Sequence, residues 1–186
     1  MHAIYTGSVP THPGLFAIVV VWESIHAHHK FQHSSAYATF LTAAVTIVAG
    51  PIDVKHFEIS EDREGLKRAL EAPITGMSVL PVKKGKAAEF LSFYNDTYAK
   101  YVVGDTYNGM WFHYPYEDPY FIPFFAIDVC RFDFYAFYGW ESEQAHYDNM
   151  KQEKHKGFHE SFEDCIDATR GCKVYHLELK KAYGHW

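Results

Sequence analysis

Apolar residues run from Leu15 to Trp22 without polar alternation, which predicts a strand covered on both faces. From Ile25 to Val48 the spacing changes to a helical one, with Ser24 placed to cap the first turn. A single helix over that range puts His29, Gln32, His33, Ala36, Phe40, Ala43 and Ile47 on one side, as the expected buried stripe. Gly50-Pro51 stops it, and Val54 to Ile59 reads as the next strand. Ahead of these lie a short strand in Met1 to Gly7 and a turn at Pro10-Thr11-His12-Pro13-Gly14.

The rest of the chain repeats the alternation. Glu61 to Pro73 is charged, with Leu66 and Leu70 at helical spacing, and reads as a connector. Ile74 to Val82 is a strand turned by Lys83-Lys84-Gly85. Ala87 to Val103 predicts a helix whose inner stripe is Ala87, Leu91, Tyr94, Tyr98 and Tyr101. Tyr107 to Pro123 predicts a strand followed by an irregular, proline-rich excursion. A strand in Ala126 to Trp140, a helix over Glu143 to Thr169 and a strand in Lys173 to Leu179 complete the pattern.

An internal repeat organises these elements. Trp22-Glu23-Ser24-Ile25-His26-Ala27-His28 returns as Trp140-Glu141-Ser142-Glu143-Gln144-Ala145-His146, five letters of seven matching at an offset of 118. Each copy follows a strand and opens a helix, and each helix leads to the same ending, His56-Phe57-Glu58-Ile59 or His176-Leu177-Glu178-Leu179. The expected organisation is a β-β-α-β module over residues 1–60, a connector over 61–73, and a ferredoxin-like β-α-β-β-α-β module over 74–186.

Composition narrows the partners. A formal charge of −6 with no basic block argues against nucleic acid and anionic membrane surfaces. No apolar run reaches the ~20 residues that span a bilayer, and the first residues lack a secretory pattern. Cys130, Cys165 and Cys172 form no paired spacing, which points to reduced thiols and a cytoplasmic setting. There is no phosphate-cradling glycine loop, nucleophile elbow or dinucleotide fingerprint, leaving a cofactor-free small-molecule site as the expectation.

Trp-Glu-Ser-x-x-Ala-His, Val82-Lys83-Lys84-Gly85-Lys86 with Glu89-Phe90, and Gly109-Met110-Trp111 resemble the antibiotic-biosynthesis-monooxygenase family, in particular its tandem fungal members. The resemblance covers most of the chain. It implies an α+β barrel of two ferredoxin-like modules, a pseudo-dimer within one chain whose pseudo-twofold superposes Trp22 on Trp140. Compared with a tandem member, module one is short of a strand and a helix, so a homodimer is expected to cover its open edge, or else the connector folds over it. The implied activity is a cofactor-independent enzyme of secondary metabolism acting on an aromatic or polyketide-like molecule, foremost a monooxygenase. A cyclase or decarboxylase in the same cavity, and a non-catalytic carrier of hydrophobic ligands, are the alternatives.

The working pocket is expected in module two, between sheet and helices. Tyr94, Tyr98 and Tyr101 would line it on one helix, with Trp111, His113 and Tyr138 on strands and His146 and Met150 on the last helix. Tyr114 and Tyr116, on an apparent insertion, would add substrate contacts. The tyrosine stripe also fits ordinary core packing. His113 and His146 compete for the role of general base, with Tyr98 as hydroxyl donor, because imidazole titrates near neutrality. His113 is slightly preferred, since module one offers no counterpart to it. Equally, His146 repeats His28 and fits a marker that caps the local backbone. His29 and His33 stand one turn apart, yet a metal site would need a third ligand such as His56, and no metal is expected.

Overall fold

The computed structural model describes residues 1–50, 52–57, 63–93, 107–113, 132–153, 160 and 162–185, with the backbone alone at 107–113 and 132. Six strands form one antiparallel sheet: β1 Ala3–Ser8, β2 Phe16–Val21, β3 Ile74–Val82, β4 Tyr107–His113, β5 Phe132–Trp140 and β6 Lys173–Gly184. Their order is β2-β1-β6-β3-β5-β4. The last four, β6-β3-β5-β4, have the order of a ferredoxin-like split unit, and the fold is α+β.

β6 joins the two parts of the sheet. Its first half pairs with β3, as in Gly76 opposite His176, and its second half pairs with β1, as in Gly7 opposite Leu179. The sequence placed the end of this strand at Leu179; it continues to Gly184 because β1 offers a second edge to pair with. At Gly184, φ is +88° and a Cβ would strike the His2 carbonyl, so only glycine fits that end of the pairing.

Alternation along β5 divides the core. Phe134, Ala136, Tyr138 and Trp140 pack with Leu80, Val82, Phe90, Phe162 and Cys165. Tyr135 and Phe137 point the other way, into a cluster with Ala3, Tyr5, Val21, Leu66, Ala69 and Leu70. Phe57 joins the second cluster, 5.0 Å from the Tyr135 ring and 5.8 Å from Phe137.

Five helices are described: α1 Ile25–Gln32, α2 Ser35–Ala44, α3 Arg63–Glu71, α4 over residues 87–93 and α5 Glu143–Met150. The segment expected as a connector, with Leu66 and Leu70 at helical spacing, contains α3. Its inner stripe, Leu66, Ala69 and Leu70, is buried against the sheet, and each leucine contributes about 1.5–3 kcal/mol through burial. Tyr5 donates to Glu71 at 3.0 Å, Lys181 ion-pairs with the same carboxylate, and Thr75 donates to the Ala69 carbonyl at 2.8 Å. These contacts tie α3 to β1, β3 and β6.

Four other expectations are corrected. The helix expected over Ile25 to Val48 is two helices, because the Ser34 hydroxyl accepts from the Tyr37 N–H and starts a new one. Its supposed buried stripe is largely exposed: His33, Ala36 and Ala43 face out, Phe40 is 45% exposed and Ile47 75%. β2 is an edge strand, with Phe16 61% and Ile18 47% exposed, so it is not covered on both faces. The helix expected to run to Thr169 gives way to a 3₁₀ turn at Glu163–Cys165, after which Ile166 bridges to Val82.

Candidate functional site

The repeated heptad has the same local geometry in both copies. In α5, the extended Ser142 accepts the Ala145 N–H at 3.0 Å; in α1, Ser24 accepts the Ala27 N–H at 3.2 Å. Serine is therefore the N-cap, alanine supplies the capped amide, and histidine stands one turn into the helix. The tryptophan, at or just beyond the strand end, lies under that histidine. His146 stacks on Trp140 with centroids 4.7 Å apart and planes at 15°; His28 stacks on Trp22 at 4.9 Å and 21°.

The segments with the matching ending complete both arrangements: His176 stands on β6, whereas His56 lies in a stretch that over residues 52–56 does not form the strand expected at Val54 to Ile59. His146 Nδ1 lies 2.7 Å from His176 Nε2, and His28 Nδ1 lies 2.9 Å from His56 Nε2. Each module thus carries a Trp-His-His set: strand end, helix start and closing segment. His56 is engaged by His28, and His33 bonds the His29 carbonyl at 2.7 Å.

Around this shared core the copies differ. In module two, His146 and His176 are 6% and 2% exposed, and Glu143 Oε1 lies 3.4 Å from His176 Nδ1. Tyr147 donates to the same carboxylate at 2.9 Å. The position equivalent to Glu143 in module one is Ile25, at the 118-residue offset. Module one is also more open, with His28, Trp22 and His56 all half-buried.

The carboxylate decides where protons sit. An ionised carboxylate only accepts, so it favours a proton on His176 Nδ1. Neutral His176 then keeps its lone pair on Nε2, and His146 must donate to it through Nδ1. His146 is left with its lone pair on Nε2, the form a base requires. Burial lowers the His176 pKa while Glu143 works against that shift, so His176 is neutral at neutral pH. In module one, burial and then His56 and His29 lower His28 to about 4.

Gly76 makes room beneath the set. It pairs with Tyr138 on one side and His176 on the other, and a Cβ there would come within 3.1 Å of the Trp140 indole nitrogen and 3.2 Å of Tyr138. Tyr138 is 8% exposed, with its ring 6.2 Å from His146. Met150, expected in the pocket, is 39% exposed. Register places His113 opposite Tyr135 and Trp111 opposite Phe137, both in the core cluster on the other side of the sheet from Trp140. Tyr94, Tyr98, Tyr101, Tyr114 and Tyr116 lie outside the described residues.

Sequence reasoning did not pick out His176, Glu143 or Asn149, the other buried residue of α5. The signal for His176 was present in the paired His-x-Glu endings, which the structure brings beneath the two helix starts.

No protein-family model and no curated protein matches the chain. Solved structures match it in fold. A "putative monooxygenase" of Lactobacillus acidophilus NCFM aligns over 99% of this chain and 80% of its own, at 13% identity and a TM-score of 0.59. Another protein so described, from Fusobacterium nucleatum, aligns over 97% and 78%, at 10% identity and 0.58. An anthrone oxidase-like protein aligns over 100% and 80%, at 13% identity and 0.62. At these identities the shared property is the α+β fold.

Proposed function

We propose that the chain is a cofactor-independent monooxygenase of secondary metabolism, acting on a planar hydroxyaromatic or polyketide-like substrate in module two, with His146 as general base. One observation carries the reading: a buried imidazole, stacked on Trp140, hydrogen-bonded to a second buried imidazole that has a carboxylate beside it. The imidazole pair recurs in module one without an acid, so the carboxylate and the deeper burial are what a packing role leaves unexplained. The fold likeness to proteins described as monooxygenases and as anthrone oxidase-like adds support.

In this reading the base takes a proton from an acidified C–H or phenol, and the resulting carbanion reduces O₂. Recombination forms a C–O bond, giving a peroxide whose O–O bond then breaks. The first proton returns to the peroxide. Loss of the second proton from the same carbon to the imidazole then drives the cleavage, leaving one oxygen as the carbonyl. The departing hydroxide takes that second proton and leaves as water. Low local polarity around Trp140 and Tyr138 strengthens each polar contact with the anion. His113, slightly preferred from sequence, yields to His146 because its strand position pairs with the opposite core cluster. Tyr98 and the other tyrosines of that stripe remain the proposed wall of the pocket.

Oxygen uptake with a hydroxyaromatic such as an anthrone tests the reaction. His146→Ala should lower turnover by roughly 10²-fold with affinity within a few-fold, and His28→Ala should leave turnover within about twofold. Product formation without oxygen uptake would support cyclisation or decarboxylation instead. Binding without any product would support a carrier.

The reading includes a homodimer in the cytoplasm. Its support is the apolar edge strand β2, together with the exposed Phe40, Val45, Ile47 and Ile52. A clean monomer at micromolar concentration in sedimentation would overturn that part.

A further inference from the structure

α5 buries only two side chains, and both are polar: His146 and, one turn on, Asn149. Asn149 is 3% exposed, and its Oδ1 is buried with no hydrogen-bond partner among the described residues. Such an oxygen costs about 1–3 kcal/mol unless something donates to it. Residues three apart on a helix share a face, with Cβ atoms about 5–6 Å apart. The orphan acceptor therefore accompanies the imidazole on the buried face of the helix.

The repeat provides a comparison within the molecule. The position equivalent to Asn149 in module one is Phe31, whose ring packs 5.4 Å from Trp22. An apolar ring is thus compatible with this position in the fold, and it closes the site by stacking. Asparagine at the same place, beside the set that also carries Glu143, forgoes that packing and leaves an acceptor unused.

We propose that Asn149 is a ligand-binding residue: its amide oxygen accepts a hydrogen bond from a hydroxyl of a planar aromatic ligand whose other polar group meets His146. This rests on the module-two reading above and adds a requirement to it, that the ligand carry a second hydroxyl within reach of the neighbouring helix position. Asn149 then acts as a specificity residue, because a ligand lacking the second hydroxyl leaves the oxygen unpaired.

The test is calorimetric binding without oxygen, so that no turnover intervenes, using naphthoresorcinol and its monomethyl and dimethyl ethers. The wild-type protein should prefer the diol, and Asn149→Leu should shrink that preference by roughly tenfold while its thermal midpoint is held or raised. Asn149→Ser, which keeps an oxygen acceptor, should retain part of the preference and guards against a folding defect in the leucine variant. An unchanged preference in Asn149→Leu overturns the proposal, whatever oxygen uptake shows. A lowered thermal midpoint with equal loss for all probes overturns it too, assigning Asn149 to an internal water. Absence of diol binding by the wild-type protein rules out the ligand class. Failure of oxygen uptake with diol preference intact removes the monooxygenase reading and leaves the binding role standing.

Discussion

Two Trp-His-His sets built from one sequence pattern end in different chemical states. Both have the same cap, the same stacking and the same imidazole contact, at 2.7 Å in module two and 2.9 Å in module one. The differences lie at the positions around them. Module two has Glu143 and Asn149 where module one has Ile25 and Phe31, and it buries its imidazoles more deeply. The repeat unit thus explains the fold of the motif, because a capped helix start over a tryptophan forms in either setting. What it does chemically is set by whether acids and amides surround it. Structure alone accounts for the common part, and the added polar groups of module two call for a function.

The largest expected difference between the sets is in stability. Trp140 is 2% exposed and belongs to the main core cluster, whereas Trp22 is half-buried. Trp140→Ala should cost about 3–5 kcal/mol, and Trp22→Ala clearly less, in urea unfolding. Equal losses would mean that module one is as tightly closed in solution as module two, as it would be if a second chain covered it.

A smaller effect tests the carboxylate. Glu143→Gln removes the charge beside His176 while keeping an amide oxygen that can still accept from Tyr147. Among the described residues, the titratable groups facing the imidazole pair include the Glu143 carboxylate and the neutral phenols of Tyr147 and Tyr138. Losing this anion should lower turnover by roughly tenfold and move the acid limb of its pH profile to lower pH, since less charge stabilises the imidazolium. A loss of rate with an unmoved limb would make Glu143 a packing residue. Ile25→Glu is the converse change: if position 25 can act like position 143, it should raise the titration midpoint of His56, read by NMR.

The sequence made the repeat, the caps and the ferredoxin-like strand order legible because these depend on local spacing. Trp140, Ser142 and His146 lie within seven residues, and the helix start orders them without help from the rest of the fold. His176 is thirty residues beyond His146, and its role arises only when β6 pairs with β3 opposite Gly76. Glu143 reads as an ordinary first-turn acid until that strand is in place. α3 was read as a connector although Leu66 and Leu70 stand at helical spacing, because its charges outnumber its apolar positions. The break at Ser34 was hidden for the opposite reason, since an apolar helical period continues through it.

The smallest effect expected is in the pH dependence of stability, and here module one should dominate. His28 is held at about 4, first by burial and then by His56 and His29. His176 is lowered by burial too, but Glu143 pulls against that shift. In both, the folded pKa lies below the unfolded value of about 6.5, so the unfolded chain binds more protons between the two values. Stability supplied by the neutral imidazoles is therefore complete above pH ~6.5 and is lost as pH falls through the folded value. Glu71, lowered although burial opposes the shift because Lys181 and Tyr5 hydrogen-bond its carboxylate, adds an acid loss in the lower carboxylate range, leaving the upper part of the window to histidine. His28→Gln should flatten urea midpoints between pH 6.5 and 5 more than His176→Gln does. A greater flattening in His176→Gln would mean that Glu143 does not offset burial in module two, and the proton assignment at His146 would lose its basis.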